Sequence, residues 1–331
     1  MTSTKQPATD VTIRPLQERD LDVADQVMRM AFGTFLKAPD PMLVFGDADL
    51  VRPRFAAAPN WAFAAEREGE IVGSNFATRW GSFGFFGPLT VRHDLWGRGI
   101  ASRLMEPVVE LIDSWQVRQA GLFTFPQSAK HIRLYQKFGF WPRQLTAVME
   151  KGVSPSAPPR QFTTYSETAD PQRPGLLSAC RDVTHAVFDG LDVEHEIRAT
   201  HDQSLGDTVL LDDGSGFAVC HCDTGEAGTG TCFVKFGAVR PGSDAAERFE
   251  RLLDACERLA ADRGLRRMVA GVNVARHDAY RRMLEREYRT FLQGVVMLNP
   301  NEDGYCRADA YVIDDYSKAR RRTGSVTPLR R

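Results

Sequence analysis

One spacing recurs along this chain and limits what it can fold into. Val91-Arg92 closes a strand-like run, and Val239-Arg240 closes another 148 residues later. The same step carries His131 and Tyr135 onto Ala279 and Met283, and Phe140 onto Tyr288. A spacing held over about 50 residues predicts two copies of one plan rather than two unrelated domains. At 331 residues the chain has room for two cores of about 150 residues each.

Composition narrows the class. Apolar residues make up 43% and charged residues 26%, the balance of an ordinary globular protein. A formal net charge of -1 argues against a surface built for nucleic acid. The opening MTSTKQPATD holds no apolar run that could serve as a signal segment, and no window approaches the ~18 apolar residues of a membrane span. A cytoplasmic protein that engages neither membrane nor nucleic acid is therefore expected, as a monomer or a dimer. Cysteines stand at 180, 220, 222, 232, 256 and 306, without a disulfide-scaffold pattern. Cys220 and Cys222 lie in the alternating run FAVCHC, where residues two apart share a sheet face, and their spacing with His221 and Cys232 is not that of a zinc knuckle. Buried thiols and no metal are the expectation.

In the first half, DVTIRP reads as a strand, and Asp20 can cap a helix reaching about Phe32. WAFAAERE and EIVGSNFATRW make a hairpin around Gly69, with SFGFFGPLTVR as the next strand. From Arg98 the apolar period becomes helical through about Val117, with a bend expected at Pro107. A strand at 121–125, a helix at 129–138 ending on Gly139, and a strand at 144–150 complete the block. KGVSPSAPPR has no apolar period and predicts a linker. The second block repeats the order, with helices near 174–188, 192–203, 243–263 and 276–286. The expected division is thus 1–152, a linker at 153–160, 161–314, and a disordered tail at 315–331, which ends in the basic YSKARRRTGSVTPLRR.

The chemistry gathers where strand period gives way to helix period. Gly97 and Gly99 let the backbone turn tightly and approach a ligand with no Cβ in the way. The first N–H groups of the following helix, near Gly99, Ile100, Ala101 and Ser102, have no acceptor within it, so they suit a pyrophosphate. Arg98 and Arg103 add positive charge. Taken alone, this segment is also compatible with a tight strand-to-helix connection that binds nothing. GRGIAS does not match the dinucleotide fingerprint G-x-G-x-x-G.

Farther on, HIRLYQKFGF places Tyr135 near the end of a short helix, before Gly139 and Phe140. Together the two segments resemble the GNAT superfamily of acyl-CoA N-acyltransferases. Its pyrophosphate turn, Q/R-x-x-G-x-G/A, is met by Trp96-Gly97-Arg98-Gly99-Ile100-Ala101 with Trp in the first position. Its A-x-x-x-Y-x-K-x-G-F region is met by the run from His131 to Phe140. The resemblance implies an α/β fold, here as tandem GNAT-like domains with mixed, mostly antiparallel sheets, each splayed between its fourth and fifth strands. It further implies acetyl-CoA as donor, with the pantetheine along Leu89, Thr90 and Val91 and the pyrophosphate on Gly97 to Ser102. An amine then attacks directly in a ternary complex, and Tyr135 protonates the leaving thiolate. A phenol within hydrogen-bonding reach suits that task, since CoA thiolate is a modest leaving group near neutral pH. The alternative for Tyr135 is a core aromatic at a helix end.

No acid stands in SFGFFGPLT, where many family members place a glutamate. Glu66, Glu70, His93 and Asp94 are nearby in sequence, but none is assigned as base, and His131 is expected to fill a partly exposed helix face. The aromatics Trp80, Phe83, Phe85, Phe86 and Trp141, with Phe32, Phe35 and Phe45, suggest a partly apolar acceptor cleft, although strand alternation sends some of them into the core. A small-molecule amine is the preferred acceptor, with protein amines also open. A non-enzymatic CoA-binding module and an O-acyltransferase are the competing readings. At the spacing of 148, Gly97, Gly99 and Tyr135 become Ala245, Glu247 and Met283, so the second copy is expected to be degenerate.

Overall fold

Glu68 and Gly69, with φ of 54° and 82°, form the two-residue left-handed turn that joins the first long hairpin, as the glycine there predicts. The computed structural model describes residues 10–154 and 159–314. In the first half the elements are β1 (Val11–Pro15), α1 (Leu21–Phe35), α2 (Arg52–Ala57), β2 (Ala62–Arg67), β3 (Glu70–Trp80), β4 (Phe83–Phe86) and β5 (Thr90–Val91). They continue as α3 (Ile100–Ser114), β6 (Gln119–Thr124), α4 (Ala129–Gln136) and β7 (Trp141–Gly152). The second half holds β8 (Phe162–Thr164), α5 (Arg173–Val187), α6 (Glu194–Asp202), β9 (Gly206–Leu211), β10 (Gly216–Cys222) and β11 (Thr231–Val239). It ends with α7 (Ala245–Asp262), β12 (Arg267–Asn273), α8 (His277–Glu285), β13 (Arg289–Asn299) and β14 (Val312–Asp314).

The spacing of 148 recurs in these elements. β4 and β11 start at 83 and 231, β6 and β12 at 119 and 267, α4 and α8 at 129 and 277, β7 and β13 at 141 and 289. Yet the two halves do not form two separate sheets. One path runs β1-β2-β3-β4-β6-β13-β7-β12-β11-β10-β9-β8, with β5 on β3 and β14 on β11. Each half's last long strand has crossed over. β13 pairs antiparallel with β6 from Val295↔Thr124 to Asn299↔Ala120, and β7 pairs with β12 from Gly152↔Arg267 to Thr146↔Asn273. The β7–β13 pair joins the halves at the centre. Only β4–β6 and β11–β12 are parallel among the described ladders, so the sheet is mixed and mostly antiparallel.

The cores interlock in the same way. Val295 and Met297 pack with Phe86, Met105, Val108 and Tyr135 of the first half, while Ala147 and Met149 pack with Phe249, Leu252 and Met283 of the second. Two cores of equal size were the expectation, but each is completed by a strand from the other. Cys220, Cys222, Cys232 and Cys256 lie in the second core, and all six cysteines are reduced and buried. Among the described residues, no group of three or more His, Cys, Asp or Glu side chains is placed to hold a metal ion. No described helix is long and apolar enough to cross a membrane.

Three local expectations change. Asp20 precedes α1 but does not cap it; its carboxylate instead accepts from the Gln17 N–H at 2.9 Å and pairs with Arg14 at 2.6 Å. Pro107 sits within α3, whose assignment runs unbroken through it, and the helix ends three residues early, with Gln116 at a φ of 50°. SFGFFGPLTVR, expected as one strand, is two, because the chain turns at Gly87-Pro88 between β4 and β5. The linker residues 155–158 and the tail 315–331 lie outside the described residues.

Candidate active site

The break between β4 and β5 makes the site. β4 pairs with β6 in parallel from Phe83↔Gln119 to Phe85↔Gly121. Past Gly87 the chain stays on β3 instead, as β5, through Ser74↔Thr90 and Gly73↔Val91. Among the described ladders none joins β5 to β6, so the sheet opens there. The opening is a cleft of about 540 Å³.

Nearly all the sequence-predicted site residues line this cleft. Leu89, Thr90 and Val91 line it from β5, Gly97, Gly99, Ile100, Ala101 and Ser102 from the turn into α3, and Tyr135 from α4. Arg98 is half-buried but is not among the lining residues. Arg103 is turned away, its guanidinium donating to the Val11 carbonyl. Gly97 and Gly99 have φ of 80° and 87°, a backbone that L side chains rarely adopt. No atom lies within 4 Å of where a Cβ on Gly99 would stand, so the turn leaves room for a ligand against its backbone. The leading N–H groups of α3, directed out of the helix end, favour an anion there.

Trp96, the residue that departs from the family turn, has a role of its own. Its indole Nε1–H donates to the Val91 carbonyl at 2.7 Å, tying the turn to β5. Lys130 of α4 lies 5.8 Å from its ring centre, so turn and helix approach each other across the cleft.

Tyr135 is buried, with its ring 5.9 Å from that of Phe86. Burial raises the phenol above its ordinary range, partly offset by a hydrogen bond with the Thr124 side chain. It therefore keeps its proton at any pH near neutral. It is at once a core aromatic, packed with Phe140, and a cleft residue; the two readings of the sequence are not exclusive.

Only part of the aromatic set forms the cleft wall, as strand alternation leads one to expect. Phe86, Phe32 and Phe35 line the cleft, but Trp80, Phe83 and Phe85 are buried with the second half, and Phe45 is fully buried. Strand alternation sends Phe83 and Phe85 to one face and Phe86 to the other. Trp141 is 47% exposed and is not part of the wall.

Among the lining residues that the sequence did not single out are Leu50, Arg54, Phe125 and Leu292. Leu292 comes from β13, which no local pattern could place beside β6. Arg54 is held by the second half. Its Nε and Nη2 reach Glu226 at 3.1 and 2.9 Å, its Nη1 donates to the Gly87 carbonyl, and Lys235 donates to the same carboxylate. Burial alone would raise the Glu226 carboxyl, but the charges of Arg54 and Lys235 outweigh it and hold it well below the usual carboxylate range. The strand break at Gly87 is thereby fastened to the second half.

Residues 31–140 match the model of the acetyltransferase (GNAT) family. Among solved structures, an assigned acetyltransferase from Pyrococcus horikoshii superposes with a TM-score of 0.69 at 14% identity, over 95% of this chain and 98% of that one. A GCN5-related N-acetyltransferase from Sphaerobacter thermophilus gives 0.53 at 14% identity, over 89% and 96%. A tandem GNAT protein from the clavulanic acid biosynthesis pathway gives 0.54 at 11%, over 87% and 98%. At these identities the likeness is one of fold. No curated protein matches the sequence.

Proposed function

We propose that this chain is an acyl-CoA-dependent N-acyltransferase that moves an acetyl group from acetyl-CoA to a primary amine, with one site in the first half and a degenerate copy of the fold in the second. One observation carries the reading: the β5 edge, the glycine turn and Tyr135 all border a single cleft at the opening of the sheet. In this reading the pyrophosphate sits on the N–H groups at the start of α3 and the pantetheine runs along Leu89 to Val91. The thioester then lies near Tyr135, whose retained proton is available to the departing thiolate.

The second half supports a single site. The spacing of 148 slips by three residues here: Asp244 takes the position before α7 that Gly99 takes before α3, and Glu247 lies in the first turn of α7. A carboxylate at a helix start repels a phosphate. Met283, in the tyrosine's place, is fully buried and carries no transferable proton. The second half instead supplies β13, Leu292 and the anchor of Arg54 to the first.

The test is release of CoA on incubation with acetyl-CoA and a panel of amines. The proposal predicts thiol release that depends on the acceptor. Binding of acetyl-CoA with no acceptor-dependent release would make this a CoA-binding module instead.

A further inference from the structure

The charged groups on the cleft wall are all of one sign. Arg54, Lys130, Arg133 and Lys137 line it, with His131 and Tyr135, and among the described residues no Asp or Glu does. An alkylammonium acceptor entering this space would meet cations and aromatic rings and find no counter-charge. Desolvating it there is costly. A nitrogen that arrives neutral meets no such cost.

His131 is the one lining side chain able to take up a proton near neutral pH. It precedes Tyr135 by four residues on α4, so the two lie on one helix face, about 5–6 Å apart at Cβ. Its ring lies 5.0 Å from that of Phe35 of α1 and 6.4 Å from that of Phe125, just past β6. Phe35 and Phe125, with rings 4.7 Å apart, both lie to one side of the imidazole and give it an apolar flank.

We infer that His131 is the proton acceptor of the transfer, and that the natural acceptor is a weakly basic, neutral nitrogen on an aromatic or apolar group, such as an arylamine or an aryl hydrazine. This rests on the transferase reading above. The nitrogen lone pair forms the C–N bond at the thioester carbonyl, and the proton of the resulting N⁺–H passes to the His131 imidazole. The oxyanion collapses, the C–S bond breaks, and the sulfur takes the electron pair together with the Tyr135 proton. Solvent then returns the imidazolium proton to the tyrosinate, so amine and thioester become amide and thiol. The acceptor ring packs on Phe32 and Phe35.

Burial lowers the pKa of the imidazole, and the Lys130 charge adds to this. Arg54, Arg133 and Lys137 also border the cleft, Arg54 with its charge met by the Glu226 carboxylate. His131 is therefore neutral and ready as a base at pH 7, and kcat should fall only as pH drops below about 6.5.

The experiment compares wild type, His131→Gln and His131→Ala with acetyl-CoA and either 4-methoxyaniline, phenylhydrazine or spermidine. Expected are at least tenfold higher kcat/KM for the two aryl nitrogens than for spermidine, and a fall in kcat of ~10²–10⁴-fold in both variants with KM for acetyl-CoA unchanged. The acidic limb of the profile should vanish, and added imidazole should restore part of the His131→Ala rate. Retention of more than a third of wild-type turnover with the acidic limb intact would overturn the role of His131. Preference for spermidine would overturn the acceptor class. A wild type that releases no CoA with any amine would remove the transferase reading itself, a distinct result from an active wild type with indifferent variants.

Discussion

Without its second half, the fragment 10–152 loses the strand that closes its sheet. β13 covers the edge of β6 and brings Val295, Val296, Met297 and Leu298 into the interior, each no more than 6% exposed. At about 1.5–3 kcal/mol per buried side chain of this size, these four contribute on the order of 10 kcal/mol, an upper estimate because unfolded chains bury some surface already. A domain's whole stability is about 5–15 kcal/mol. The fragment should therefore not persist as a folded monomer. The β6 edge left open can be covered by the counterpart strand β7 of a second copy, so dimers or aggregates are the expected products. Size-exclusion chromatography with thermal melting reads this out. A monodisperse monomer melting cooperatively within about 5 °C of the full chain, a shift on the scale of only ~1–2 kcal/mol, would refute the reasoning.

Three further outcomes follow from single side chains. Tyr135→Phe keeps the packed ring and removes the proton donor, so kcat should fall ~10²–10⁴-fold with little change in acetyl-CoA affinity by calorimetry; more than a third of wild-type turnover would return Tyr135 to a packing role. Glu226→Ala strands Arg54 and Lys235 in the interior and should cost ~3–5 kcal/mol in denaturant unfolding, whereas an exposed pair would cost under ~1. Gly294→Ala would put a Cβ 2.0 Å from Cζ of Phe123 across the β6–β13 junction, and a loss of ~1–3 kcal/mol should appear as a lower melting temperature.

Much of the site was readable because it is local. The change of period at Gly97 marks where a strand ends and α3 begins, and the two glycines there need the positive φ they adopt. The pattern of α4 set Tyr135 near the end of a short helix, and only the family resemblance set it beside the turn. What could not be read is long-range. β7 and β13 each carry a short continuous buried run, as any central strand does, and nothing in either says that its neighbour lies in the other half. The same ignorance hid Leu292 and the Arg54–Glu226 pair, which are 172 residues apart in the latter case. The division of SFGFFGPLTVR into β4 and β5 depends on what the chain pairs with after Gly87, whereas alternation alone already sent some of its aromatics into the core. His131, expected on a partly exposed helix face, is half-buried there, and nothing local showed that the rings of Phe35 and Phe125 reach it from elements remote in sequence.

The central claim is that acyl-CoA is held on the turn at Gly99, and calorimetric titration of acetyl-CoA tests it most directly. A Cβ at this position meets no other atom, so Gly99→Asn and Gly99→Asp share the same backbone strain and differ mainly in charge. The account predicts one acetyl-CoA per wild-type chain, similar binding to Gly99→Asn, and at least tenfold weaker binding to Gly99→Asp, the equivalent of ~1.4 kcal/mol. Two comparable sites per chain, or equal affinity for the two variants, would contradict it.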